Sequence, residues 1–258
     1  MNFKTTSISF LISVCLVVLL NYFNQISLVW LLLPFVVYNA LIIYGSATIQ
    51  SGFFVKAICC AETNEKIIAL TFDDGPHKEY TAQVLSALKE FEAKATFFVI
   101  GKNIRENEHI IRQIDAEGHT IGNHTYSHSF FIDFKSKKQF KEEVNRTSDE
   151  VSKITGKRLS LFRPPYGVTT PNLASASKDL DYVIIGWNVR TMDTTKDTEE
   201  KIFERVQQQM KSGAIILFHD TSEKTVRVLK RTLQLAKENG YKVVGVDKII
   251  ELNTNKKS

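Results

Sequence analysis

The first fifty residues contain no acidic side chain and only one basic one, Lys4. Lys and Arg number 33 and Asp and Glu 28, and all but Lys4 lie in residues 51–258, whose net charge is therefore +4. That excess is small, and its cations are interspersed with acids. No DNA- or RNA-reading motif accompanies them, so a nucleic-acid partner is not expected. Cysteine is scarce as well. Cys15 lies in the uncharged head, and Cys59 and Cys60 are adjacent, too close for ordinary disulfide geometry. Without a CxxC pair there is no cysteine zinc site, and without a framework the cysteines do not name a redox compartment. Internal repeats and low-complexity linkers are also missing, which excludes solenoids and arrays.

What the head does have is two apolar runs, residues 8–20 and 26–44, separated by Asn24 and Gln25. The second holds 19 residues without a charge, about 28 Å as a helix and close to the hydrocarbon thickness of a bilayer. Tyr22, Trp30, Tyr38 and Tyr44 supply amphipathic rings of the kind found at membrane interfaces. The first run, preceded by Lys4, also has the form of a signal-peptide core, but no small-x-small cleavage site follows it within residues 21–25. A buried soluble hairpin is the remaining alternative. The expectation is a membrane anchor of one or two helices over residues 1–50, joined to a catalytic domain over 51–258 that is long enough to bury a full core. Lys4 and Lys56 give little positive-inside contrast. The extracytoplasmic side is the expected location of the catalytic domain.

From residue 66 onward, short apolar runs alternate with helical periodicity. Strands are expected at 67–72, 95–100, 120–121, 161–162, 182–185, 214–218 and 242–246. Between them, Val84, Leu85, Leu88 and Phe91 share one helical face, and Ile104, Ile110, Ile111 and Ile114 another. Residues 140–154, 202–210 and 226–235 continue the series, and 253–258 reads as a polar, frayed tail. This alternation predicts an α/β fold with a mainly parallel sheet, whose functional groups gather at the C-terminal ends of the strands.

Those ends carry the chemistry. Thr71 to Pro76 reads TFDDGP: two adjacent carboxylates are costly unless paired or coordinated, although Asp, Gly and Pro also make ordinary turns. One could bind a cation while its neighbour acts as a base. His124 and His128 are four apart, a spacing that in a helical turn puts both at chelating distance on one face. Two histidines and a carboxylate are the usual protein ligands of an open catalytic zinc. His109 and His119 lack such spacing, while His77, just after the acidic pair, is a candidate for the rim. Arg163 precedes Pro164 and Pro165, so its guanidinium leaves a stiff backbone and can hold a carboxylate ionised. Asp193 falls in the loop read WNVRTMD, and His219 ends the very apolar run at 214–218. A histidine there with an orienting Asp makes a general acid–base pair.

Taken in order, TFDDGP, HTYSH, RPPYG, WNVRTMD and LFH resemble the polysaccharide deacetylases of the NodB-homology type, carbohydrate esterase family 4. The resemblance runs from about Ile67 to Leu252. It implies a distorted (β/α) barrel with a divalent metal, commonly zinc, in an open groove. It implies Asp74, His124 and His128 as ligands, Asp73 as general base with Arg163 as its charge partner, and His219 as general acid tethered by Asp193. It also implies an oxyanion contact from the Tyr166 backbone and an acetyl pocket lined by Leu217. The implied substrate is an N-acetylated polysaccharide, such as peptidoglycan or another envelope glycan with N-acetylglucosamine units, and the product is acetate. No protein partner is implied.

One loop departs from the pattern: Arg190 stands where many members carry Asp, and Thr194 stands where a Trp follows the Asp at 193. By the resemblance, that departure bears on the shape of one groove wall and of the acetyl pocket, and hence on the substrate, and leaves the metal set and the base untouched. Two other classes would use the same fold: a non-catalytic glycan-binding membrane protein, and a membrane scaffold. Both are expected to lack a ligand, the base or the acid, and none is missing here.

Overall fold

The computed structural model describes residues 2–255. Helix α1 (Phe3–Tyr22) opens at Asn2, whose side chain accepts from the Thr5 N–H in a capping box. A 3-10 turn (Leu28–Leu31) then leads into α2 (Leu32–Ala47). Phe3–Tyr22 and Leu28–Ala47 are each 20 residues, about 30 Å, long and apolar enough to cross a membrane. They form a hairpin in which Phe10 stacks on Tyr38 at 4.4 Å and the Ser7 and Tyr38 hydroxyls lie 3.2 Å apart. Their outer faces leave Leu11, Ile12, Leu16, Leu33 and Val36 exposed, an apolar surface far beyond what water-soluble monomers show.

The remainder alternates strand and helix: β1 (Ile67–Asp73), α3 (Tyr80–Glu90), β2 (Ala95–Val99), α4 (Gly101–Ile104), α5 (Glu108–Ala116), β3 (Thr120–Asn123), α6 (Lys137–Thr155), β4 (Leu161–Phe162), α7 (Pro171–Leu180), β5 (Val183–Ile184), β6 (Val189–Arg190), α8 (Glu199–Gln209), β7 (Ala214–His219), α9 (Glu223–Glu238), β8 (Lys242–Val244) and α10 (Val246–Asn255). The sheet order is β5-β4-β3-β2-β1-β7-β6, with β8 beside the first half of β1. Every strand pairing is parallel. The sheet curls into a distorted (β/α) barrel whose edges are β5 and β6. Residues 58–61 span the seam: Ile58 exchanges backbone bonds with Ile184 and Gly186, and Ala61 donates to Gly213.

Strand periodicity explains where the chemistry lands. On β1, Ile68, Leu70 and Phe72 face the helices, while Ala69 packs in the barrel interior. Asp73 continues the Ala69 row. On β7, Ile216 and Phe218 face outward and Ile215 and Leu217 inward, so His219 ends the interior row. Asp73 and His219 are direct partners across the β1–β7 ladder.

Three elements depart from the sequence expectation. β6 is a two-residue strand inside a polar loop, too short to show a period. α7 is made of small and polar residues, and its start at Thr170 with Pro171 in the first turn is a helix signal that its weak apolar face obscures. The run expected as a strand to 246 ends at Val244, and α10 takes over, so residues 253–255 are helical rather than a frayed tail; 256–258 lie outside the described residues.

Candidate active site and metal centre

The turn after β1 places the two carboxylates in different environments. Asp73, buried, accepts from Arg163 Nη1 at 2.8 Å. Asp74 has a left-handed backbone (φ 74°), which Asp tolerates better than most residues, and its side chain keeps 29% exposure. Asn103 donates to the Asp74 carbonyl and Ile100 N–H to that of Gly75, which fixes the turn. A Cβ at Gly75 would collide with the buried Asp220 carboxylate, so any other residue there must displace that side chain.

His124 and His128 meet Asp74 here. Asp74 Oδ1 lies 3.5 Å from His124 Nε2 and 3.3 Å from His128 Nε2, and the three ligand atoms fall within 4.8 Å of one another. A tetrahedral ion bonded at about 2.0–2.1 Å needs ligand atoms about 3.3–3.4 Å apart. Asp74 Oδ1 is also buried without a hydrogen-bond donor, the state of an oxygen awaiting a cation. His124 Nδ1 lies 2.8 Å from the Arg163 carbonyl, which sets the tautomer that leaves Nε2 free to coordinate. Burial lowers the His124 pKa to about 3, against the pull of Asp74, so the ring is neutral. The residues fit a divalent metal.

The helical turn expected to align the histidines does not form. Residues 124–128 are an irregular loop with positive φ at Thr125 (63°) and His128 (47°). Glu143 on α6 holds it instead, accepting from the N–H groups of Tyr126 (3.1 Å) and Ser127 (2.7 Å) and from the Ser127 hydroxyl. Burial raises the Glu143 carboxyl, but these donors and Lys135 outweigh it and hold it below its usual range. Asn123 adds a bond from Thr125 N–H, and the first amides of α4 donate to the Thr125 and Tyr126 carbonyls. The two rings end 4.9 Å apart.

Arg163 is fully buried and fully committed. It donates to Asp73 and Thr71 through Nη1, to the Ile185 carbonyl through Nε and to the Gly186 carbonyl through Nη2, and lies 4.2 Å over the Phe98 ring. Burial raises the Asp73 carboxyl above its ordinary value, while the charges of Arg163 and His219 pull it down. Asp193, equally buried, receives His219 Nδ1 and the His219 backbone N–H, each at 2.8 Å, together with the Thr191 and Thr225 hydroxyls. Burial by itself would lower the His219 pKa, but the Asp193 bond and the charges of Asp193, Asp73 and Asp74 raise it to about 9. For Asp193 burial raises the carboxyl, and the His219 and Thr225 bonds more than reverse that.

Tyr166 adopts φ 58° in the 3-10 turn after Pro164, with its ring 4.8 Å from that of His128. Leu217 lies one layer beneath His219 on the same face of β7. His77 does not rim the site as a ligand; its Nδ1 accepts the Glu79 and Tyr80 N–H groups at the start of α3. His119 is buried beneath the sheet and accepts from Ala95 N–H. Arg190 lies 5.7 Å over Trp187 at the exposed edge of β6.

Residues 61–185 match the polysaccharide deacetylase family. A peptidoglycan-N-acetylglucosamine deacetylase of Bacillus cereus is 36% identical over 192 residues, covering 72% of this chain and 89% of its own length. The chain belongs to the polysaccharide deacetylase family. The peptidoglycan deacetylase PdaC of Bacillus subtilis superposes with a TM-score of 0.70 at 32% identity, over 75% of this chain and 94% of the solved one. A CE4-family pseudoenzyme from Bacillus anthracis superposes with a TM-score of 0.69 at 27% identity, over 74% and 67%.

Two residues of this deacetylase site gave no sequence signal of their role. Glu143 sits among other charged residues on α6, and its contact with the histidine loop spans 16 residues. Asp220 follows His219 in sequence, but its carboxylate is turned to α3 and not to the imidazole. It accepts from Thr81 and backs Gly75, with its second oxygen unpaired and burial pushing its carboxyl up to about 7. Only the fold, which brings α3 against the end of β7, shows this.

Proposed function

We propose that this deacetylase removes N-acetyl groups from peptidoglycan, using one divalent metal, zinc, held by Asp74, His124 and His128. The observation that carries the reading is the Asp73–His219 pair. The two residues are neighbours across the β1–β7 ladder at the metal-ligand cluster, and each is backed by its own buried counter-charge. The cation supplies a positive centre that polarises the amide carbonyl and makes water easier to deprotonate.

The protein's own groups do the rest. Asp73 accepts a proton from the attacking water, and its raised pKa makes it a stronger base than an exposed carboxylate. Arg163, fully buried, fixes the carboxylate in place. His219, protonated through neutral pH, donates to the departing amine, and acetate and a free amino sugar result. The Tyr166 backbone is the proposed donor to the developing oxyanion, and Leu217 the proposed floor of the acetyl pocket. The names of the relatives support peptidoglycan, and a glycan bound without turnover would have no need for the paired base and acid. Purified protein is expected to release acetate from N-acetylated peptidoglycan fragments; binding of those fragments with no acetate released would favour the non-catalytic reading.

A pH profile tests the acid. The His219 acid form is present below its pKa and is lost as pH rises through it, so kcat/KM falls on the alkaline side. In Asp193→Asn the largest raising influence goes while burial remains, and the alkaline limb is expected to move to lower pH. A uniform loss at every pH, with the limb unmoved, would reduce Asp193 to a structural part.

The apolar hairpin supports a membrane anchor for residues 1–50, with the catalytic domain of 51–258 on the extracytoplasmic side, where peptidoglycan lies.

A further inference from the structure

We propose that Phe130, Phe131 and Phe134 form a second membrane contact, inserting into the bilayer surface beside the hairpin and holding the rim of the metal site there. The proposal rests on the reading of the hairpin as a membrane anchor. Among the described residues, the exposed large hydrophobic side chains outside the hairpin are these three and Tyr166; the three phenylalanines are 73%, 66% and 81% exposed. They are not carried on a loose tail. Ile132 between them is buried against Phe140, Val144, Phe162 and Leu173, and the 3-10 turn Ile132–Phe134 is closed by Phe134 N–H to Phe131 and Lys135 N–H to Ile132. The fold therefore presents the rings to the outside by construction, in the way an interfacial patch requires.

Their position points to lipid. The end of α2 is fastened to the loop after β4: Thr169 N–H donates to the Ser46 carbonyl at 3.0 Å and its hydroxyl to that of Gly45 at 3.2 Å. Three residues further, at most about 10 Å of chain, Asn172 donates to the Lys135 carbonyl, next to Phe134. The patch thus borders the place where the hairpin leaves the domain. Lys138, exposed and without an ion-pair partner among the described residues, follows it and suits an anionic bilayer surface. Phe130 also touches Tyr166, which touches His128, so immersing the patch brings the groove to the bilayer. A sugar-stacking platform fits less well. Phe131 meets Phe130 at 87° and Phe134 at 53°, so the rings offer no common plane to successive sugars, whereas lipid insertion needs none. The consequence is an enzyme that acts on glycan presented close to the membrane.

Tryptophan quenching in vesicles tests this. The full chain is reconstituted in bilayers containing phosphatidylglycerol and lipids brominated along the acyl chain, and native Trp30 reports the hairpin. Phe131→Trp in a Trp30→Phe background reports the patch, with buried Trp187 as the constant background and His109→Trp on α5 in the same background as an exposed control. At least twofold quenching at position 131, with none at 109, is expected. Quenching of Trp30 without quenching at 131 would overturn the docking and leave the anchor standing. An unquenched Trp30 would overturn the anchor and the docking with it. A 131 signal that ignores the bromolipids but responds to a soluble N-acetylated oligosaccharide would reassign the patch to glycan binding.

Discussion

Asp73→Asn is expected to lower acetate release by about 10²- to 10⁴-fold, the usual worth of a positioned acid–base group. The amide keeps the volume of the carboxylate and can still accept from Arg163, but it cannot take up a proton. Arg163 retains its bonds to Thr71 and to the Ile185 and Gly186 carbonyls, so the chain still folds. The metal set is untouched, because Asp74 rather than Asp73 faces both histidines at ligand spacing. Metal content equal to that of the wild type, with turnover nearly abolished, is the expected pair of results. Turnover unchanged in this variant would remove Asp73 from the chemistry.

The second large effect is on stability. Arg163→Met takes away a guanidinium with no exposed surface and leaves the Asp73 carboxylate buried without its counter-charge. Breaking one side of such a pair costs about 3–5 kcal/mol. For a domain of this size that corresponds to a melting temperature lower by roughly 10 °C. The double variant Arg163→Met/Asp73→Asn is expected to recover part of that loss, since the uncompensated charge is then gone. Thermal unfolding of the wild type, both single variants and the double variant measures the coupling. Strictly additive losses would mean that the two groups are not energetically paired.

Much of this architecture is legible before any coordinates. β1 and β7 announce themselves as continuous apolar runs because both their faces are covered, by helices outside and by the barrel interior inside. The strand-end rule then locates Asp73, Asp74 and His219, and loop residues such as His124 and Arg163 follow from the same rule. Local geometry was less visible. Spacing suggested a helical turn between His124 and His128, but Glu143, Asn123 and the amides of α4 supply the order from elsewhere in the chain. No local pattern encodes a contact between residues 127 and 143. Asp220 is silent for the same reason, since its partner Thr81 lies on α3, 139 residues away in sequence. β6 has too few residues for a period, and α7 too few large apolar ones for a face.

The loop from Trp187 to Thr194 is where this deacetylase differs from the pattern it resembles. Asp193 is bonded to His219, and Thr194 and Arg190 are exposed, a small hydroxyl and a cation where the pattern has a Trp and an Asp. Neither substitution is among the three ligand residues Asp74, His124 and His128.

The most direct test is metal removal. Acetate release from N-acetylated peptidoglycan fragments is measured before chelation, after chelator treatment and dialysis, and again after adding back one equivalent of zinc. Near-complete loss followed by recovery is predicted, with Asp74→Ala binding no metal and recovering nothing. Release that survives chelation undiminished, or Asp74→Ala with full metal content, would contradict the assignment of Asp74, His124 and His128 as the catalytic metal centre.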